Sequence, residues 1–214
     1  MTPESGFLFR KTGRHPYAVY CPRGWDRATP LPAILYLHGR GESGTDGARQ
    51  LLIGLPSAIL HRISQWPFLV VCPQKPTLDA EWFDQRRWLN RMLRDVDDEF
   101  PTDASRRYLT GLSQGGRGTM RLAKSLVWDF AAAAPVCGWA EPSEVATNFK
   151  NLPVWAFHGL ADEVIPARGS IDAIDAVPHR RKRLTLLEGV GHNSWDYAYR
   201  EAELARWFLR HRKK

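Results

Sequence analysis

The chain has 214 residues, 43% of them hydrophobic and 25% charged, which predicts one globular domain over residues 1–214 with a core that needs no disulfide staples. Its net charge is +7, but the basic residues are scattered apart from two solvated runs, Arg180–Arg183 and Arg210–Lys214. No zinc-ligand spacing or RNA-binding aromatic signature accompanies them, which argues against a nucleic-acid partner. Cys21, Cys72 and Cys137 make no disulfide framework, no apolar run approaches the roughly 18–20 residues of a membrane helix, and the opening MTPESGFLFR carries no signal-peptide pattern, so a cytoplasmic setting away from membranes is expected.

Short apolar, β-rich runs alternate with longer helical patterns along the chain. Phe7–Phe9 and Tyr17–Tyr20 predict a hairpin at a sheet edge. Ala33–Leu37 is apolar throughout, as a strand buried on both faces of a parallel sheet should be, and it stops at His38-Gly39. Phe68–Cys72 is a second such run. Arg86–Phe100 places Trp88, Leu89, Met92, Leu93, Val96 and Phe100 at helical spacing. Arg107–Thr110 predicts a strand and Gln114–Val127 a helix. Phe130–Ala134 and Val154–Phe157 predict two more strands, with one short helix near Pro142–Phe149 between them. Ala167–Ala176 predicts a helix, Arg183–Leu187 the last strand and Trp195–Leu209 the last helix. This alternation specifies the α/β class, with a mostly parallel sheet covered by helices on both faces. Ligand sites in such sheets lie beyond the carboxyl ends of the strands.

The chemistry-bearing motifs fall at those ends. Gly111-Leu112-Ser113-Gln114-Gly115 matches G-x-S-x-G, directly after one predicted strand and directly before a helix. In that setting the serine is a nucleophile on a sharp turn, and the glycines remove side chains that would strike the neighbouring strand and helix. A serine hydrolase also needs two N–H donors for its oxyanion. Gln114 supplies one. The loop His38-Gly39-Arg40-Gly41 supplies the other, from Arg40 or alternatively Gly41. His38 reads as a hydrogen-bonding support beneath that loop. The acid and base of such a site follow the serine in the order Asp or Glu, then His. Asp162 stands in the loop leaving Val154–Phe157, with Glu163 as its rival, and His192 stands in the loop after the last strand. Trp139, Trp195 and Trp82 are candidates for the walls of a substrate pocket, each with core packing as the competing role.

The ordered segments AILYLHGRGESG, VVCPQKP, YLTGLSQGGRGTM, FAAAAPVCGW, LPVWAFHGLADEVIP and VGHNSWDYAY resemble the carboxylesterase-type α/β-hydrolases often labelled predicted peptidases. They are also similar to the phospholipase/carboxylesterase and dienelactone-hydrolase-like branches. The resemblance spans the chain from residue 31 onward. It implies the α/β-hydrolase fold, with a sheet of about eight strands. By position it implies a triad of Ser113, Asp162 and His192, with oxyanion donors at Arg40 and Gln114. The chain departs from the pattern at Ser113, where dienelactone hydrolases carry cysteine, and at Arg117, where an aromatic or small residue is common. Many members of the group also carry secretion signals.

These readings converge on an ester hydrolase that works through an acyl-enzyme on a small-molecule ester, with no metal or organic cofactor. The competing readings are a peptidase or amidase, and a non-catalytic binding module on the same scaffold. The connection Pro135–Pro153 is too short for a lid domain, so an open cleft suited to soluble short-chain or aryl esters is expected. No particular oligomeric state is implied.

Overall fold

Eight apolar runs pair into one sheet in a computed structural model that describes residues 5–213. β1 (Gly6–Thr12) and β2 (His15–Cys21) form an antiparallel hairpin at one edge. β3 (Leu31–Leu37), β4 (Leu69–Pro73), β5 (Thr102–Leu112), β6 (Ala132–Val136), β7 (Val154–Gly159) and β8 (Lys182–Leu187) run parallel to one another. Their order is β1-β2-β4-β3-β5-β6-β7-β8, with β2 antiparallel to β4.

Because successive side chains point to opposite faces, one continuous apolar run feeds two cores. Ala33, Leu35 and Leu37 pack on one face, Ile34 and Tyr36 on the other. The first face is covered by α2 (Arg86–Glu99), α3 (Gln114–Leu122), α4 (Pro142–Asn148) and α5 (Arg168–Asp175). The second is covered by α1 (Gly54–His61) and α6 (Leu204–Leu209). Burying both faces explains why the central strands are apolar without alternation.

Three helical segments differ from the sequence expectation. α1 has a glycine at its start, with φ +66°, and Pro56 in its first turn, so it carries no long periodic signal. α3 ends at Leu122 rather than Val127: Val127 is exposed, while Trp128 turns inward and donates its indole N–H to Asp97 Oδ2 at 3.0 Å. The single helix expected over Trp195–Leu209 is broken. A π-helical turn at Tyr197–Glu201 is followed by extended Ala202, ψ 145°, before α6 begins. Tyr199 and Phe208 are nine residues apart (208 − 199) and both buried in the same core. In a continuous α-helix, at about 3.6 residues per turn, they would point in opposite directions. The break lets both reach the sheet.

Phe208 closes that face. Its ring stacks on Tyr108 at 4.8 Å and meets Phe68 edge-on at 6.5 Å. Phe208→Ala should cost roughly 3–5 kcal/mol. Urea unfolding followed by tryptophan fluorescence measures this loss; a cost below about 1 kcal/mol would show that the aromatic cluster does not anchor α6.

Candidate active site

Ser113 sits between β5 and α3 with φ 54° and ψ −119°, a conformation that costs a non-glycine residue on the order of 1–3 kcal/mol. The turn holds because its neighbours are packed backbone to backbone. A Cβ on Gly115 would lie 1.9 Å from the Leu37 carbonyl oxygen, and one on Gly111 would lie 2.5 Å from the same atom. The Ser113 N–H is fixed by the Val136 carbonyl at 2.9 Å, with Cys137 Sγ at 3.3 Å. α3 thus begins at the serine and directs the positive end of its dipole there.

The structure brings Ser113, His192 and Asp162 into one hydrogen-bonded line. His192 Nε2 is 2.9 Å from Ser113 Oγ, and His192 Nδ1 is 2.7 Å from Asp162 Oδ2. Asp162 Oδ1 accepts the backbone N–H groups of Val164 and Ile165, both at 2.9 Å. Burial pushes the Asp162 carboxyl up, but the His192 imidazole and the two amides outweigh it and leave its pKa below the ordinary value. With a carboxylate facing Nδ1, that nitrogen carries the proton and Nε2 is free to accept one from Ser113. Glu163 is exposed and does not face His192 in this line.

The glycine loop after β3 is tied down from below. His38 is fully buried, with Nδ1 2.6 Å from the Gly39 carbonyl oxygen and Nε2 3.1 Å from the Lys75 N–H. A carbonyl only accepts, so Nδ1 carries the proton and Nε2 accepts. Anchoring the Gly39 carbonyl turns the N–H of the same trans peptide, that of Arg40, the opposite way. Lys75 is buried as well. Its Nζ donates to Ser43 Oγ at 2.5 Å, to Thr77 O at 2.9 Å and to Leu78 O at 3.3 Å. Ser43 Oγ in turn donates to the Arg40 carbonyl at 2.7 Å. The Gln114 side chain also reaches Leu78 O, at 3.4 Å. One buried lysine therefore braces the loop that carries Arg40 and the segment that Gln114 touches. Its burial pushes its pKa down to about 8.

Trp82 belongs to this support and not to a pocket wall. It is fully buried, donates its indole N–H to the His38 carbonyl at 2.9 Å, and packs edge-on against the His38 ring at 4.9 Å. The segment preceding α2 folds under the glycine loop after β3 instead of over the cleft. Lys75 is the residue that sequence reading passed over. Its trace is a lysine two residues past the end of a buried apolar strand, Cys72-Pro73-Gln74-Lys75.

Ser113 and His192 open into a cleft of about 370 Å³. Trp139 and Trp195 line it, with Ile53 and Val164 as apolar neighbours. The Trp195 ring stands perpendicular to His192 at 5.5 Å. Trp139 is held by the Arg117 guanidinium, 5.1 Å from its ring centre, and Arg117 is itself paired to Glu81 at 2.8 Å. Arg117 therefore acts on the cleft through the tryptophan it carries. The Arg40 side chain points to the exposed rim and pairs with Asp79 at 2.8 Å. Among the described residues, no group of three or more His, Cys, Asp or Glu side chains is arranged to hold a metal ion, and no helix is long and apolar enough to cross a membrane.

No family model matches the chain. It is similar to a thermostable esterase of known crystal structure, with TM-score 0.82 and 27% identity over 97% of this chain and 63% of that one. Feruloyl esterase C of Emericella nidulans is 25% identical over 159 residues, 72% of this chain and 57% of that protein. A bifunctional acetylxylan esterase/xylanase of Neocallimastix patriciarum is 28% identical over 102 residues, 46% of this chain and 15% of that protein. The chain spans less than two thirds of each. With the thermostable esterase it shares the α/β-hydrolase fold.

The His38 contacts make acid sensitivity predictable. Burial, reinforced by the Lys75 cation and only partly opposed by the Gly39 carbonyl, pushes the His38 pKa down to about 3. An unfolded histidine titrates near 6.5. Between those values the unfolded chain binds a proton that the folded chain refuses, so stability falls as pH drops through the window. From pH 7 to pH 5 this group alone should remove about 2 kcal/mol. His38→Asn should be less stable at pH 7 yet lose less on the same step. Urea midpoints at the two pH values for both proteins decide it; equal losses would remove His38 as the cause.

Proposed function

We propose that the chain is a serine carboxylesterase acting through an acyl-enzyme. The observation that carries this reading is the line of contacts from Asp162 through His192 to Ser113 Oγ, 2.7 and 2.9 Å long, opening on the cleft. The esterase names of the similar proteins support it.

On this reading Ser113 Oγ attacks the ester carbonyl carbon, and its proton moves to His192 Nε2. The carbonyl oxygen becomes an oxyanion held by the N–H groups of Arg40 and Gln114. Collapse of the intermediate breaks the bond to the alkoxy leaving group, which takes the proton from His192, and an acyl group remains on Ser113. Water then attacks the acyl carbon, giving its proton to His192. The second collapse returns that proton to Ser113 Oγ and frees the carboxylic acid. Asp162 stays ionised throughout, holding the Nδ1–H and stabilising the imidazolium. The glycine loop and α3 present their amides before the substrate arrives, so little reorganisation is needed when charge develops.

The cleft suits small, flat esters. Two tryptophans form its walls, and Glu81 and Arg117 tie one of them in place. A volume of about 370 Å³ is at the lower end of ligand pockets. Short-chain and aryl esters fit such a space, in keeping with the feruloyl and acetylxylan esterases among the similar proteins.

Ser113→Ala should lose on the order of 10⁴–10⁶ in kcat and all labelling by a fluorophosphonate, with the fold intact by circular dichroism. Asp162→Asn should lose about 10⁴ through the wrong histidine tautomer. Ester hydrolysis surviving in clean Ser113→Ala protein would refute the assignment. In a series of p-nitrophenyl esters from acetate to palmitate, kcat/KM should peak among the short chains and show no jump at the micelle concentration. A maximum at the dodecanoate or longer would contradict the small open cleft.

A further inference from the structure

The triad carboxylate has a second imidazole beside it. His158 closes β7, its side chain fully buried. Its Nε2 lies 2.9 Å from the Ile165 carbonyl and 3.2 Å from Asp162 Oδ2. A carbonyl and an ionised carboxylate only accept, so Nε2 carries a proton. That proton bonds the Ile165 carbonyl, with Asp162 Oδ2 close beside the same N–H, while Oδ2 takes its hydrogen bond from His192 Nδ1 at 2.7 Å.

The ring is fixed from its far side. His158 Nδ1 is 2.7 Å from Ser170 Oγ in α5, and Ser170 Oγ is 2.7 Å from the Gly138 carbonyl. Gly138 follows Cys137, whose sulfur faces the Ser113 N–H at 3.3 Å. One buried polar chain thus connects the acid loop, α5 and the backbone beside the nucleophile. The ordinary triad contacts do not require it.

We propose that His158 is a positioning residue for the triad: its Nε2–H holds the Ile165 carbonyl, and with it the loop that carries Asp162, and the positive end of that N–H, 3.2 Å from Asp162 Oδ2, tempers the carboxylate's pull on the His192 proton. The proposal rests on the triad reading above. A carboxylate with the positive end of an N–H dipole beside it holds a neighbouring cation less tightly. Removing the His158 donor leaves Asp162 to hold imidazolium more tightly, so His192 keeps its proton to higher pH. The titratable groups facing this cluster are Asp162 itself, His192 from the loop after β8 and Cys137 from the loop after β6. The Cys137 thiol stays neutral, pushed up to about 12 by burial. Ser170 and the Ile165 carbonyl do not titrate, and Glu163 is exposed.

Two substitutions separate this role from packing. The amide of His158→Asn can reach Ser170 but not Asp162, whereas His158→Gln returns a donor to the position of Nε2. With p-nitrophenyl acetate, His158→Asn should lose on the order of tenfold in kcat while KM stays within about twofold. The acid limb of its kcat/KM profile should move to higher pH by about half a unit or more. His158→Gln should recover most of kcat and return the limb toward the wild type. A folded His158→Asn protein with wild-type kcat and an unmoved limb overturns the proposal. So do equal losses in both variants with no movement of the limb, which would make His158 a packing residue only. If His158→Asn does not fold, nitrogen-15 spectra of the wild-type imidazoles decide the matter. A slowly exchanging proton on His158 Nε2 at pH 7 is expected, and a bare Nε2 overturns the proposal. Wild-type protein inert to both p-nitrophenyl acetate and fluorophosphonate would count against the esterase reading instead, and the spectra would still test His158.

Discussion

The carbonyl oxygen of Leu37 lies where a side chain on residue 115 would have to begin. That contact lets β3, β5 and α3 meet at one point, and the rest of the site is built around the meeting. It turns Ser113 out of the sheet in a strained conformation and starts a helix directly behind it. It also brings the glycine loop after β3 against the serine, since a Cβ on Gly39 would come within 3.5 Å of Ser113 Cβ. A Cβ at 115 would meet the Leu37 carbonyl oxygen at 1.9 Å and one at 111 would meet it at 2.5 Å, so a larger residue at either position would push these elements apart. A hydrogen bond of 2.9 Å does not survive such a displacement.

Much of this was legible because the constraints are local. Gly111, Gly115 and the strand before them spell the turn in consecutive residues. Asp162 and His192 could be chosen because each follows an apolar run, and strand ends are where side chains leave the sheet. What escaped reading depends on how distant segments fold against each other. Trp82 precedes α2 in a stretch that looks like a surface loop, and nothing local says that it tucks under His38. Lys75 was passed over because lysine is rarely buried, and here all three of its donors are used by groups in residues 43, 77 and 78. The break at Ala202 was hidden for a different reason. Spacing shows that residues are apolar, but not that the helix is interrupted between them so that both reach the same face.

Three supports of the site, His38, Lys75 and Asp162, are polar, buried and fully committed. His38 uses both ring nitrogens and its carbonyl; Asp162 uses both oxygens. Groups held this way cost more to disturb than apolar packing of the same size, because a lost partner leaves a desolvated donor or acceptor behind. On the proposed mechanism their rigidity lets the Arg40 and Gln114 amides face an oxyanion with little reorganisation.

The strand order has one more consequence. β5, which leads into Ser113, runs between β3 on one side and β6, β7 and β8 on the other. The loop with Arg40 thus belongs to one flank of the sheet, and the loops with Asp162 and His192 belong to the opposite flank. On the proposed mechanism an acyl group on Ser113 would span the boundary, its oxygen turned to one flank and its leaving side to the other. Each turnover would then bridge two halves otherwise joined through their backbone ladders and the helices packed across them.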